Sequence, residues 1–489
     1  MKRDTLRKNL IFQGLGGLIA RIGSLIFTII LARLLIPSDF GLYNLALTII
    51  ISLTAVIDFG LSTTAVKFIV SSKTKKLARS RFLFLFKLKF IWSLIISILV
   101  LILSKYISNF YSTPFLEIPL KVGAIYLFLN SIYTLLGAIF LALEKLKYNT
   151  YMEIIFQTLR LILIIFFLRI ESEISLIFLF LAISVGIAIL FGTWTIITKF
   201  KFLFKGSTKT PERRKMLKYS GFITLSTLGV MIFSNIDKLY LGYFVDVIFI
   251  GYYAVIVSLL GGAIGTFSIM GIFFPRFIST KENILEEKFR KTIEFISVII
   301  IPATFGFAYI SLNIVRFLYG PIYVPDEHYL PLLFTSIVLS LLIFEGIINE
   351  LFKMLLNSRN LAKVTGIGML LAAGLNLVLN PLLIIYFLRF GEGYALLGVA
   401  LATVISRYIN FGSMVYSVKH KLKITLKYDE FIKPIFCSIL MIVFLAILKP
   451  YFNSWRLLIL ILLGAGFYIL TMQLLRGINW KEFKKFISE

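Results

Sequence analysis

The sequence predicts an all-α integral membrane protein of about fourteen transmembrane helices, arranged as two six-helix lobes followed by two further helices. Three observations predict it. The chain of 489 residues is 59% hydrophobic, with a mean hydropathy of +0.94, where soluble domains average roughly 45–50% apolar. Its apolar runs repeatedly reach the length of about 20 residues that a helix needs to cross a bilayer. And its 51 Lys+Arg, against 24 Asp+Glu, gather in every second connection between those runs.

The first run, about Asn9 to Leu31, follows a basic start (Lys2, Arg3, Arg7, Lys8). It is too long for the apolar core of a signal peptide, carries Arg21, and lacks a small-residue cleavage site before a soluble domain. The turn IPSDFGLY (Ile36 to Tyr43) separates it from span 2, about Phe40 to Leu61, with Pro37 and Gly41 as breakers and Ser38-Asp39 as the expected cap. Lys67, Lys73, Lys75, Lys76, Arg79, Arg81, Lys87 and Lys89 then crowd one connection, and span 3, about Phe90 to Leu103, starts at or inside that basic flank. Spans 4, 5 and 6 are about Leu120 to Leu143, Met152 to Leu168 and Ile174 to Thr198. The connection Lys199 to Lys218, with its polar break GSTKTPE, is the strongest internal boundary. Spans 7 to 12 are about Tyr219 to Phe244, Gly251 to Phe274, Thr292 to Asn313 (with Pro302 inside), Leu330 to Phe352, Val364 to Phe387 and Ala395 to Tyr416. Spans 13 and 14 are about Ile432 to Leu448 and Leu457 to Leu475, before a basic tail with Arg476, Lys481, Lys484 and Lys485.

The other connections hold at most one or two basic residues: Arg33; Lys105 and Lys121; Arg169; Arg316; Arg389; Lys449 and Arg456. Such alternation orients membrane proteins, and here it places both termini in the cytoplasm of a plasma-membrane protein. An error of one span would break the pattern. The net charge of +27, which in a soluble protein would suggest nucleic acid, is therefore read as the cytoplasmic Lys/Arg bias. The single cysteine, Cys437, excludes an intramolecular disulfide framework and sits in an apolar run, where burial is expected. His328 and His420 fall in expected loops far apart, so no metal site is expected. No Walker A pattern and no connection long enough for an extramembrane domain is present, so no ATP hydrolysis is expected of this chain.

A weak internal repeat links the halves. FGLYNLA opens span 2 at Phe40 and IGYYAVI opens span 8 at Ile250, an offset of 210 residues; LALEKLKY (Leu141 to Tyr148) and MLLNSRNL (Met354 to Leu361) follow spans 4 and 10 at a similar offset. An offset of six spans preserves orientation, so the halves are expected to be parallel repeats about an axis along the membrane normal, with a site where they meet. The expected divisions are residues 1–217 (spans 1–6), 218–431 (spans 7–12) and 432–489 (spans 13–14 and the tail).

LARLLIPSDFGLYNLA (Leu31 to Ala46), DFGLSTTAVKF (Asp58 to Phe68), SNIDKLYLGYF (Ser234 to Phe244) and GYYAVIVSL (Gly251 to Leu259) resemble polysaccharide flippases, the Wzx type of the multidrug/oligosaccharidyl-lipid/polysaccharide exporter superfamily. The resemblance covers essentially the whole chain. It implies a V-shaped pair of lobes, alternating access, and a cationic central cavity that receives the pyrophosphate and sugars of a lipid-linked oligosaccharide.

Charge at membrane depth selects the candidate residues, because it disfavours insertion by roughly 2.5–3.5 kcal/mol and usually faces a cavity or a partner. Arg21 lies twelve residues into span 1, about 18 Å along the helix and near the midplane. Arg407 is equally deep in span 12. For these two a substrate cavity outweighs a structural ion pair. Arg160 is shallower and able to snorkel, and Arg33 and Lys238 lie near span ends, so an interfacial anchor is at least as good a reading for them. Arginine can hold a phosphate bidentately. Among the acids, Asp237 neighbours Lys238, and Glu350 can pair with Lys353. Glu345, with Asn349 on the same helical face, is placed either to carry a coupling proton or Na⁺ or, more simply, to make a structural hydrogen bond. It is also the first partner to consider if Arg21 is in an ion pair. Asp58, Asp237 and Asn376 are the other candidates for ion coupling or gating. Asn376 and Asn380-Pro381 mark span 11 as a cavity-lining helix.

The expectation is thus a flippase moving a polyprenyl-(pyro)phosphate-linked oligosaccharide outward, with membrane lipids and glycan-assembly enzymes as partners, no nucleic acid, no enzymatic activity and no cofactor beyond a coupling ion. Two alternatives differ in class. A multidrug exporter of the same superfamily would usually stop at twelve spans and present acid to a cationic drug. A membrane glycosyltransferase or polymerase would need outer carboxylates, and the only external pair, Glu171 and Glu173, sits in a tiny loop.

Overall fold

The computed structural model describes residues 3–167, 173–203, 212–266, 282–425, 429–452, 454–475 and 477. Glu171, Arg169, most of the GSTKTPE break, the end of span 8, Arg276, Lys281, Lys427 and the tail from Arg476 (Gly477 apart) lie outside the described residues. Fifteen long helices carry the fold among those described: α1 (Arg3–Leu34), α2 (Pro37–Asp58), α3 (Leu61–Val70), α4 (Lys75–Phe110), α5 (Glu117–Ala142), α6 (Leu146–Phe167), α7 (Ile174–Lys199), α8 (Arg213–Phe244), α9 (Val247–Thr266), α10 (Glu282–Leu318), α11 (Tyr329–Ser358), α12 (Ala362–Leu388), α13 (Ala395–Lys421), α14 (Asp429–Leu448) and α15 (Leu457–Leu474). Thirteen spans among the described residues are long and apolar enough to cross a membrane, with α2 and α3 counted as one, Pro37–Val70. The 32-residue α8 stands in the place of the seventh span and is additional to those thirteen. The protein is a multi-pass membrane protein.

Several boundaries moved for local reasons. Pro37 is itself the first residue of α2, behind an extended Ile36 that gives no side-chain cap, so Ser38 and Asp39 lie inside the first turn. A proline belongs there because its missing N–H is one that a helix start leaves unpaired anyway, and Asp39 complements the positive end of the helix dipole. α4 absorbs most of the basic connection: Thr74 accepts from the Leu77 amide at 3.2 Å and starts a 36-residue helix that runs to Phe110. Likewise α8 begins at Arg213, inside the basic connection. His420 lies in the last turn of α13 rather than in a loop, while His328 does lie in a short turn. Span 2 breaks after Asp58, where Phe59 (φ +43°) and Gly60 (φ +63°) are left-handed.

The chain divides into two compact units, Met1–Gly251 and Tyr252–Glu489. In the first, α8 packs on α2 and α3, which carries the unit past the 217/218 division expected from the repeat. The matching glycines of that repeat meet inside it: a Cβ on Gly41 would overlap the carbonyl of Val247, and one on Gly251 would overlap that of Pro37. These two backbones touch, which only glycine permits at both positions. Along the later part of α4 the packed face is largely small and polar. On α4, Lys89, Ser93, Ser97, Ser104 and Ser108 are buried, whereas Ile91, Leu94, Ile95, Ile98 and Ile102 are exposed. That inversion suits a helix in lipid, where apolar surface gains nothing by facing inward and small residues let helices approach. In the second unit α12 packs on α13, α11 on α10 and α13, and α14 on α10 and α15. Cys437 is free and fully buried there.

Candidate functional site

In the first unit the candidate cations fall into different settings. Arg21 lies on an exposed face of α1, and Arg33 is exposed in the last turn of the same helix. Arg160 does not snorkel: it is buried on α6, donates through Nη2 to Ser24 Oγ at 3.0 Å, and stacks 4.4 Å from the Phe27 ring and 5.0 Å from Phe156. Two turns before it, Glu153 accepts from Tyr133 Oη at 2.7 Å and from Gln157 Nε2 at 2.6 Å. Lys238 on α8 donates to Asn44 Oδ1 at 3.2 Å, and Asn44 itself donates to the Phe40 carbonyl. Asp237 is half-buried beside it on α8.

Asp58 has a partner that sequence reasoning missed. Lys89, only 1% exposed, forms an ion pair with Asp58 and donates to Ser62 Oγ at 2.7 Å and Thr134 Oγ1 at 3.1 Å. Ser62 also donates to Asp58 Oδ1 at 2.5 Å. The ammonium therefore ties together the end of α2, the start of α3, α4 and α5, at the break beside Phe59. Trp92, one turn on, donates to the Val56 carbonyl at 3.0 Å and holds the same break. Arg81 does comparable work at the far end of α3, donating to the Phe68 carbonyl and Ser72 and pairing with Glu212.

In the second unit Glu345 is 2% exposed and Arg407 is half-buried; Arg407 Nη1 lies 3.6 Å from Glu345 Oε2, while Asn349 Nδ2 donates to Glu345 Oε1 at 2.6 Å. Arg407, in the same unit, is thus a partner of Glu345. Glu350 pairs with Lys353 at 3.6 Å, as their spacing predicts. Asn376 and Asn380 are fully buried: Asn376 donates to Thr403 Oγ1 at 3.2 Å, and Asn380 donates to Asn376 Oδ1 at 3.1 Å. These amides tie α12 to α13 and do not sit on a solvent-exposed face. Pro381 is carried inside α12 without ending it, as is common where neighbouring helices satisfy the freed backbone groups.

A second feature of this unit is apolar. A cavity of about 470 Å³ lies between α10, α14 and α15, walled by residues such as Phe295, Ile299, Pro302, Met441, Leu445 and Tyr468. Gly464 opens it, since a Cβ there would press on Leu445, and the Tyr468 hydroxyl is spent on the Val298 carbonyl at 2.8 Å. Glu294 is the carboxylate on its wall. Among the described residues no three His, Cys, Asp or Glu come together as a metal site.

Two compact helical units and a succession of apolar spans define a multi-span, all-helical membrane protein. The sequence places it further: residues 30–326 match the family described as polysaccharide biosynthesis protein, and the chain belongs to that family. None of the curated proteins matches it in sequence. Among solved structures it is similar to the lipid II flippase MurJ in an inward closed conformation, with a TM-score of 0.71 and 18% identity over 95% of this chain and 98% of that one. It is also similar to a multidrug resistance MATE family transporter of the MOP superfamily in an inward-facing conformation, with 0.64 and 14% over 85% and 99%. A MOP superfamily transporter from Pyrococcus furiosus matches with 0.55 and 15% over 86% and 96%. At these identities the likeness is one of fold, and the folds are those of transporters and flippases.

Proposed function

We propose that the protein is a flippase that carries a polyprenyl-(pyro)phosphate-linked oligosaccharide from the cytoplasmic to the outer leaflet of the plasma membrane by alternating access, with both termini cytoplasmic. The observation that carries this reading is the apolar cavity built by α10 with the last two helices. A MATE-like transporter matches only 85% of the chain, while the lipid II flippase matches 95%. The difference is of the order of the segment that holds α14 and α15. Together with α10, the helices α14 and α15 supply an apolar wall of the kind a prenyl chain needs and a soluble drug does not. In the first unit the exposed Arg21 and Arg33, and in the second the half-exposed Arg407, are each candidate cations for the pyrophosphate, since a guanidinium fork matches two phosphate oxygens. Arg160 and Lys238, each held by a hydroxyl or amide partner, are the further cationic candidates. Glu345 and Asp58, each beside a cation (Arg407 and Lys89), are the acids assigned to coupling to H⁺ or Na⁺. Asp237 and Asn376 remain candidates for gating.

Depletion in the source cells tests it. The expected result is full-length lipid-linked oligosaccharide that accumulates where an impermeant reagent added outside does not reach it. Accumulation of shortened glycans would support a polymerase instead. Unchanged glycan export with new sensitivity to cationic dyes would support the drug exporter.

A further inference from the structure

We propose that Arg316 and Lys449 form a subsite for the phosphate of a prenyl lipid, at the end of the second unit that the Lys/Arg alternation places outside. The proposal rests on the flippase reading and deepens it by giving the lipid phosphate a docking point on the side of release.

The two cations line one cavity of about 300 Å³, together with Leu312, Asn313, Asp326 and Tyr329. Three separate elements meet there: the last turn of α10, the turn into α11, and the turn after α14. Arg316 is held in place, donating through Nη2 to the Val324 carbonyl at 3.1 Å and to Asp326 Oδ1 at 2.8 Å, 5.5 Å from the Tyr329 ring. Those two bonds use Nη2 and leave Nη1 and Nε of a five-donor group. Lys449 stands 4.9 Å over the Tyr309 ring and has no carboxylate partner among the described residues. Asp326 is fully exposed, so its charge is screened by water and offsets little of the pair. Two cations beside one cavity repel each other, and an anion between them removes the repulsion. Arginine with lysine, a fork with a point charge, is a donor set that suits a phosphate.

What stands next to the pocket narrows the anion. Ile310 and Ile314 of α10 wall the apolar cavity, and Arg316 follows within the next turn. Met441 and Leu445 of α14 wall it too, and Lys449 lies four residues beyond Leu445, in the turn that follows α14. The cations therefore follow the wall of the apolar cavity closely along the chain on two of its elements, two residues after Ile314 and four after Leu445. An amphiphile with an extended branched chain and a terminal phosphate matches both parts at once, and free phosphate matches only one.

The test uses the full chain in phosphatidylcholine nanodiscs, with binding of farnesyl phosphate measured by calorimetry. Lys449→Gln is expected to weaken binding at least tenfold, and Lys449→Arg to stay within about threefold of the wild type. Arg316 also holds the turn at Val324, so Lys449 is the primary variant. Unchanged affinity in a monodisperse Lys449→Gln protein would overturn the proposal. So would equal, Lys449-dependent binding of phosphatidylglycerol or of inorganic phosphate, which would make the pocket a general anion site. Binding is read here without transport. A protein that binds farnesyl phosphate through Lys449 yet moves no glycan lipid would sink the flippase reading and leave the subsite standing.

Discussion

Removing Lys89 should be among the most damaging single changes in the first unit. Its ammonium is almost wholly buried and engages a carboxylate and two hydroxyls. A hydrogen bond to a charged group contributes about 1.5–3 kcal/mol and a neutral one about 0.5–1.5, and breaking a buried pair from one side typically removes 3–5. Asp58 retains 27% exposure, so water recovers part of that loss and the lower end applies. Lys89→Met is therefore expected to destabilise the protein by about 3 kcal/mol and Asp58→Asn by about 2. The double variant removes both charges and should lose about 3 rather than the sum, a coupling of about 2 kcal/mol. Equilibrium unfolding by SDS in mixed micelles, followed by circular dichroism, measures all four corners of the cycle. Additive losses, with a coupling below about 0.5 kcal/mol, would refute the pairing and with it the account of how the α2–α3 break is held.

Gly41→Ala and Gly251→Ala each drive a methyl into a facing carbonyl and should destabilise by about 1–3 kcal/mol, seen as lower membrane abundance and an earlier SDS midpoint. Arg407→Ala should strand the buried Glu345 and lower abundance, while adding Glu345→Gln should restore it; a double variant no better than the single would show that the pair at 3.6 Å carries no weight. In a Cys437→Ser background, Lys73→Cys and Ser112→Cys flank α4 and should react with impermeant thiol reagent from the cytoplasm and from outside respectively; reaction from one side only would break the Lys/Arg topology. Flipping normalised to inserted protein should fall in the order Arg21→Lys, Arg21→Ala, Arg21→Glu, the lysine keeping the charge but losing the fork, and full activity in Arg21→Ala would remove Arg21 from the substrate path.

Helix order was legible because lipid imposes length and apolarity on every span, and these survive in a single sequence. Local pairings were legible for the same kind of reason. Glu350 with Lys353 and Glu345 with Asn349 obey the spacing of one helical turn. Glu345 with Arg407 and Asp58 with Lys89 do not, because 62 and 31 residues separate them and no periodicity reports which helices become neighbours. Lys89 was hidden a second way. It ends a run of basic residues that the cytoplasmic bias explains completely. The signal that could have found it is the serine stripe Ser93, Ser97, Ser104, Ser108, which continues its face down α4 and marks that face as the packed one. Asn376 and Asn380 show the converse error. Polar residues beside a proline looked like a cavity wall, but an amide buried between two helices satisfies itself equally well. The apolar cavity of α10, α14 and α15 left no mark at all, since lipid-facing and cavity-facing positions are both aliphatic.

The central claim is that this chain moves a lipid-linked oligosaccharide across a bilayer without altering it. Proteoliposomes carrying the purified protein and a fluorescent lipid-linked oligosaccharide on both leaflets, exposed to an impermeant glycosidase outside, test that most directly. With the protein present, digestion is expected to pass the outer-leaflet half and approach completion, protein-free vesicles to stop at half, and the glycan to keep its chain length before digestion. Digestion that stops at half with the protein present, or a glycan lengthened or shortened by the protein itself, would contradict it.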